Sequence, residues 1–278
     1  MTQIQRVAAV DGLELHVVVE GPDDAETVVL VHGWPDTHVV WRHQVGPLVD
    51  AGYRVITYDQ RGFGASGVPA AVDGFHVFKA MVDVGTVLDA LAVDRAHLVG
   101  HDWGAAPVWL TATFAPGRVR TMTAVSVGHP LAFRQAGIEQ QQRSFYMLLF
   151  QFEDIAEQWL MADDWANFRT LLGNPPDVDD RVAELSRPGA LTASLNWYRA
   201  NVHPRSLVDP PPDLPSITVP AMGVMGAGDW ALLPEQMEGS EAYVQSTWRY
   251  EVIEGAEHWV QTEQPEAFNA VLLDWLAG

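Results

Sequence analysis

At 278 residues the chain is long enough for one large α/β domain or two small ones, with ample apolar content for a buried core. A formal net charge of -20, from 36 acidic against 16 basic residues, excludes nucleic acid and anionic membrane surfaces as partners by repulsion. The lack of cysteine excludes disulfides and thiolate chemistry, no segment has the ~20 apolar residues of a membrane span, and the opening Met-Thr-Gln-Ile-Gln-Arg is not a signal peptide, so a cytoplasmic chain is expected.

Leu13 to Glu20 reads as a strand, and Thr27 to Val31 as a short β-branched strand buried on both faces. The second ends at His32-Gly33-Trp34-Pro35-Asp36. A helical pattern runs from about Val39 to Val49 and closes at Ala51-Gly52. Tyr53 to Tyr58 is a further strand, followed by Asp59-Gln60-Arg61-Gly62-Phe63-Gly64-Ala65-Ser66. A helix from about Phe75 to Leu91 leads into the apolar run Ala96-His97-Leu98-Val99-Gly100. Then come His101-Asp102-Trp103-Gly104 and a helix from Ala105, which together spell strand, very tight turn, helix. The glycines flanking Asp102 explain the turn, because a side chain at either place would strike neighbouring backbone. A strand from Arg120 to Val127 follows.

After Val127 the rhythm breaks. His129 to about Asp213 has no convincing buried strand and is rich in aromatics. Its helices are separated by Asn174-Pro175-Pro176 and Arg187-Pro188-Gly189, and it ends in the stiff Pro210-Pro211-Pro212. The expected organisation is an α/β core over 1–128 and 214–278, with a helical lid at 129–213 inserted between the halves. In the second half, Ile217 to Met225 and Trp248 to Ile253 read as strands ending at Gly228-Asp229 and His258-Trp259. A helix starts near Pro234, and the last runs from about Pro265 to Leu276. Alternating strands and helices predict an α/β fold, a parallel sheet covered on both faces, with functional loops at the carboxyl ends of the strands.

Three ionisable groups stand at such ends, in the order Asp102, Asp229, His258. A serine at the turn would need a base, whereas a carboxylate with a reference pKa of ~3.9 is already ionised at neutral pH. His258 is therefore free to activate water in a second step, with Asp229 fixing its tautomer. A carboxylate nucleophile suits displacement at saturated carbon, which leaves an alkyl ester on Asp102. The oxyanion formed when water attacks that ester needs donors, and the backbone N–H groups of Trp34 and Trp103 are placed to supply them. Competing structural roles exist: Asp102 as a helix cap, Asp229 as a common turn residue after glycine. His101 and His32 read as structural.

These pieces resemble the α/β-hydrolase superfamily over nearly the whole chain, and soluble epoxide hydrolases most closely, with haloalkane dehalogenases as cousins. The likeness rests on His32-Gly33-Trp34-Pro35, Asp59-Gln60-Arg61-Gly62-Phe63-Gly64-Ala65-Ser66, Gly100-His101-Asp102-Trp103-Gly104, Gly228-Asp229 and His258-Trp259-Val260-Gln261. The elbow with Asp is specific to that branch. The resemblance implies a mostly parallel sheet of eight strands flanked by helices, and a Trp34-Pro35 bond that is often cis. It also implies two lid tyrosines that hold and protonate the epoxide oxygen. Of six tyrosines, Tyr53, Tyr58, Tyr243 and Tyr250 fall in the core, leaving Tyr146 and Tyr198 in the lid. Their surroundings, Ser144-Phe145-Tyr146-Met147-Leu148-Leu149-Phe150-Gln151 and Leu195-Asn196-Trp197-Tyr198-Arg199, resemble the family's tyrosine motifs. A dehalogenase would more usually carry Asn in place of Trp34.

The expectation is a cofactor-independent, metal-free hydrolase making vicinal diols from small apolar epoxides. Trp34, Trp103, Phe145, Met147, Phe150 and Trp197 are expected to contact substrate. A haloalkane dehalogenase and a ligand-binding relative without turnover are the alternatives. Glu257 departs from the family, where glycine is usual before the histidine; it either approaches the imidazole and raises its pKa or faces solvent. Nothing in the sequence fixes an oligomeric state.

Overall fold

Each run read as a strand forms one in the computed structural model, which describes residues 2–278. The strands are β1 (Gln3–Ala8), β2 (Glu14–Glu20), β3 (Thr27–Val31), β4 (Arg54–Tyr58), β5 (Ala96–His101), β6 (Val119–Val125), β7 (Ala221–Gly226) and β8 (Trp248–Ile253). They build one sheet in the order β1-β2-β4-β3-β5-β6-β7-β8, antiparallel at β1/β2 and β2/β4 and parallel elsewhere. β1 carries no apolar alternation. It is a mostly exposed edge strand, and pairing with β2 rather than burial accounts for it. β7 starts at Ala221 instead of Ile217, since Pro220 has no N–H to donate to a ladder; Ile217 makes only an isolated bridge to Val244.

The pleat sends alternate residues of the central strands to opposite faces. Val28 and Leu30 of β3 and Val99 of β5 enter one core, while Val29, Val31 and Leu98 enter the other. Helices cover both. In chain order the core helices are α1 (Arg42–Asp50), α2 (Val77–Ala90) and α3 (Ala105–Phe114). Between β6 and β7 stand only helices: α4 (Pro130–Gln135), α5 (Gly137–Arg143), α6 (Phe145–Leu149), α7 (Ile155–Leu171), α8 (Val178–Leu185) and α9 (Ala190–Asn201), with a 3-10 turn at Pro204–Leu207. The chain closes with α10 (Pro234–Glu238), α11 (Val260–Glu263) and α12 (Pro265–Ala277). Val84, Val87 and Leu88 of α2 and Val108 of α3 pack on one face of the sheet; Leu48 of α1 and Phe268 and Leu272 of α12 pack on the other.

The core of Val28, Leu30 and Val99 is continuous with the helices of 130–201. Phe150, Leu160, Phe168, Leu195 and Trp197 belong to it, all fully buried. Each such side chain contributes about 1.5–3 kcal/mol of burial, so these helices are bound to the sheet and are no loose appendage. α7 is two helical pieces joined by a turn in which Asp163, Asp164 and Trp165 take left-handed φ values of 49°, 56° and 65°. Left-handed backbone costs a residue with a Cβ roughly 1–2 kcal/mol. Burial of Trp165 against Phe168 offsets part of it. Among the described residues no helix is long and apolar enough to cross a membrane.

Candidate active site

The strand order reverses between β3 and β5, and a crevice opens where neighbouring strands feed connections in opposite directions. Val31 pairs with Gly100, so the loops that follow the two strands emerge side by side. One carries Trp34, the other Asp102. Asp102 sits at the tip with φ 51°, a left-handed conformation that the surrounding packing must enforce. A Cβ on Gly100 would lie 2.2 Å from the Gly104 carbonyl oxygen, and one on Gly104 would lie 2.2 Å from that of Val31. The flanking glycines are thus required on steric grounds. Gly33 is required as well: its Cβ would stand 2.4 Å from that of Asp102.

This closeness lets the Trp34 N–H donate to Asp102 Oδ1 at 2.7 Å. The loop carrying Trp34 is held from behind by His32, whose Nε2 accepts from the Gln60 N–H at 2.9 Å. The Trp34-Pro35 peptide is cis. On the other side of Asp102, His258 Nε2 stands 3.6 Å from Oδ2. His258 Nδ1 lies 3.0 Å from Asp229 Oδ2 and must carry the proton that the carboxylate accepts. Asp229 is fixed in turn, its Oδ1 accepting the N–H groups of Ala231 and Leu232 at 2.9 and 3.0 Å. The His258 carbonyl accepts from Ser126 Oγ at 2.8 Å and from His101 Nε2 at 3.0 Å. His101 therefore supports the histidine through its backbone. Burial works to lower the pKa of His258, but the Asp229 charge and the neighbouring Asp102 outweigh it and raise it to about 10. Glu257 is exposed, and its N–H is accepted by Glu263; the two carboxylates, not Glu257, set the imidazole's charge.

Tyr146, from α6, and Tyr198, from α9, arrive from opposite ends of the helical insertion. Their rings meet edge to face with centroids 6.0 Å apart. Both are buried, and burial together with the nearby Asp102 charge raises each pKa well above the ordinary phenol value, so both keep their protons. Tyr146, Tyr198, Asp102, His258 and Trp34 line one cavity with about 10 Å³ of free space, room for about one water molecule.

The residues expected to touch substrate divide. Trp34 lines the cavity. Phe145 does not: it is 53% exposed, because a residue beside the inward Tyr146 on a helix is rotated about 100° away. Phe150 stands behind the cavity wall, fully buried between Trp34 and Tyr198 at ring distances of 5.4 and 5.0 Å. Trp197 is also a backing residue, its Nε1 donating to the Arg61 carbonyl at 3.0 Å. Trp103 packs its ring on Tyr198 at 5.2 Å, and Met147 is partly buried against the core; neither side chain lines the cavity. Sequence reasoning missed Leu171, Leu172 and Trp230, which do. Trp230 follows Asp229 directly and could have been found from that adjacency. Nothing in the sequence marks the two leucines, which lie at the end of α7 beyond its bend.

A family model described as alpha/beta hydrolase fold matches residues 26–265. Epoxide hydrolase A of Mycobacterium tuberculosis (strain ATCC 25618 / H37Rv) is 31% identical, the alignment covering 99% of this chain and 97% of that protein. The AB hydrolase superfamily protein YfhM of Bacillus subtilis (strain 168) is 32% identical over 96% of this chain and 95% of its own. Among solved structures, an epoxide hydrolase from Bacillus megaterium in complex with an inhibitor superposes with a TM-score of 0.87 at 25% identity, covering 99% of this chain and 100% of that one. Fold, length and sequence agree: the chain belongs to the α/β-hydrolase fold family and, within it, to the epoxide hydrolases.

Proposed function

We propose that the protein hydrolyses small apolar epoxides to vicinal diols through an ester on Asp102, without metal or cofactor. The core spans 1–128 and 214–278, and 129–213 is the lid that closes over the substrate. Asp102 Oδ2 attacks an epoxide carbon as the ring C–O bond breaks, and the alkoxide takes a proton from Tyr146 or Tyr198. Oδ1 becomes the ester carbonyl oxygen. Esterification removes one of the two carboxylate charges that raise the His258 pKa, so the imidazolium releases its proton to solvent, to regain it once Asp102 is free again, and stands as a base when a base is needed. His258 then takes a proton from water, and the hydroxide attacks the ester carbon. The Trp34 and Trp103 N–H groups hold the oxyanion. The imidazolium protonates the leaving diol oxygen, and the proton left on Asp102 returns to the tyrosine.

The observation that carries this reading is the pair of buried, protonated phenols facing the same cavity as Asp102 and His258. An alkoxide leaving group needs a proton donor, whereas a halide does not. The experiment offers styrene oxide and 1-bromobutane in parallel and measures diol and bromide. Diol without bromide is expected. Replacing Tyr146 and Tyr198 together by Phe should lower ring opening at least ~100-fold, the usual worth of a positioned acid. Bromide without diol, or undiminished turnover in the double variant, overturns the proposal.

A further inference from the structure

We propose that His16, His38 and Asp59 form a binding site for a divalent cation of the Zn²⁺ type, separate from the reaction at Asp102. The three donors come from different elements. His16 lies on β2, where its carbonyl accepts the Asp59 N–H at 3.0 Å across the β2/β4 pairing. Asp59 follows β4, and His38 opens the 3-10 turn His38–Trp41 beyond the Trp34 loop. One ligand atom from each of the three lies within 4.8 Å of the others. His16 Nδ1 is 3.3 Å from Asp59 Oδ2, and His38 Nδ1 is 2.7 Å from Oδ1. Bonds of ~2.0–2.2 Å in a tetrahedral site put donors about 3.3–3.6 Å apart. His16 Nδ1 already stands at this separation from Oδ2, whereas His38 Nδ1, now hydrogen-bonded to the other oxygen, must give up that contact and turn towards the shared ion.

Three further features suit a cation. His16 Nδ1 is buried and makes no hydrogen bond. The Asp59 carboxylate is oriented by two backbone donors, the N–H groups of His38 and Ala65, both at 2.9 Å. Fixed outer partners of this kind hold a ligand ready for metal. The rim is open: the side chains of His16 and His38 keep 14% and 25% of their surface accessible, which admits the ion and leaves water a fourth position. Two imidazoles and one carboxylate are the donor set of zinc and its first-row neighbours, not of Ca²⁺ or Mg²⁺. Arg6 is engaged on the Ala65 carbonyl, not on Asp59. The site's consequence is structural. Asp59 adjoins Gln60, which holds His32 and so the Trp34 loop. A cation there joins β2 to the loops after β3 and β4.

The test uses the full chain treated with a chelator and then titrated with ZnCl₂ by calorimetry, with melting temperature followed in parallel. CoCl₂ serves as a spectroscopic probe. One equivalent bound, a raised melting temperature and visible Co²⁺ bands are expected. His38→Gln and His16→Gln should each weaken Zn²⁺ binding at least ~10-fold and remove the Co²⁺ bands. No stoichiometric binding to the unaltered chain overturns the proposal. So does unchanged affinity in both variants, which would assign the binding to others of the ten histidines. None of these readouts uses turnover, so they stand apart from the epoxide assay.

Discussion

The His258 imidazole is buried between two carboxylates, and it holds a proton in the folded state to higher pH than in the unfolded chain, its pKa being raised to about 10 from 6.5. Between those values the native state binds more protons than the unfolded state, so stability falls as pH rises through that window. The contribution is fully present below pH 6.5 and gone above about 10. His258→Gln should flatten this slope in urea unfolding measured from pH 6 to 10; an unchanged slope would mean that another group carries it. The same variant should accumulate the ester, seen as a mass increase on Asp102 equal to that of the epoxide, since formation needs no base and hydrolysis does. A variant with normal turnover and no added mass would remove His258 from the proposed mechanism. These residues were legible because the signal is local: glycines fix a turn, and a carboxylate or imidazole stands at its tip. Gly33 was not legible as part of the site. Its steric partner, Asp102, is far away in sequence and meets it only through the β3/β5 pairing.

At the scale of elements, α8 fastens the helical insertion to the core through one buried ion pair. Arg181 Nε donates to Asp36 Oδ1 at 2.7 Å, and its guanidinium stacks 4.4 Å over the Trp259 ring. Trp259 Nε1 donates to Asp36 Oδ2 at 2.8 Å, so cis loop, α8 and the residue after His258 meet at one carboxylate. Burial opposes the charge of Asp36, and Arg181 more than any other group holds its pKa below the ordinary value. Arg181→Leu should cost about 3–5 kcal/mol, because it strands a buried charge. Adding Asp36→Asn should recover part of the loss in denaturant melts. If the two losses simply add, the latch is not a coupled pair. The sequence predicted the helical character of this region and its Pro/Gly breaks, since those are written in local chemistry. It did not predict the latch, the bend at Asp163 to Trp165, or which aromatics face the cavity. Each depends on contacts among helices whose mutual angles no short-range pattern encodes. Phe145 illustrates this: aromatic and next to Tyr146, it points to solvent because helical rotation takes it there.

For the whole molecule the decisive quantity is the net charge of -20 set against the apolar epoxide proposed as substrate. Self-repulsion among 36 acidic side chains and only 16 basic ones opposes the compact state. Salt screens it, the Debye length falling from about 30 Å at 0.01 M to about 8 Å at 0.15 M. The melting temperature should therefore rise across that range. Turnover should respond differently, according to the substrate's charge. A neutral epoxide such as styrene oxide feels no steering, so kcat/KM should hold constant from 0.01 to 0.15 M salt. An epoxide bearing a carboxylate is repelled on approach, so its kcat/KM should be depressed at low salt and recover as salt is added. The two substrates separate an effect on encounter from an effect on folding, because a stability change would move both together. Equal salt dependence for the two would show that charge acts through the fold alone and that the acidic surface does nothing to select apolar, uncharged substrates.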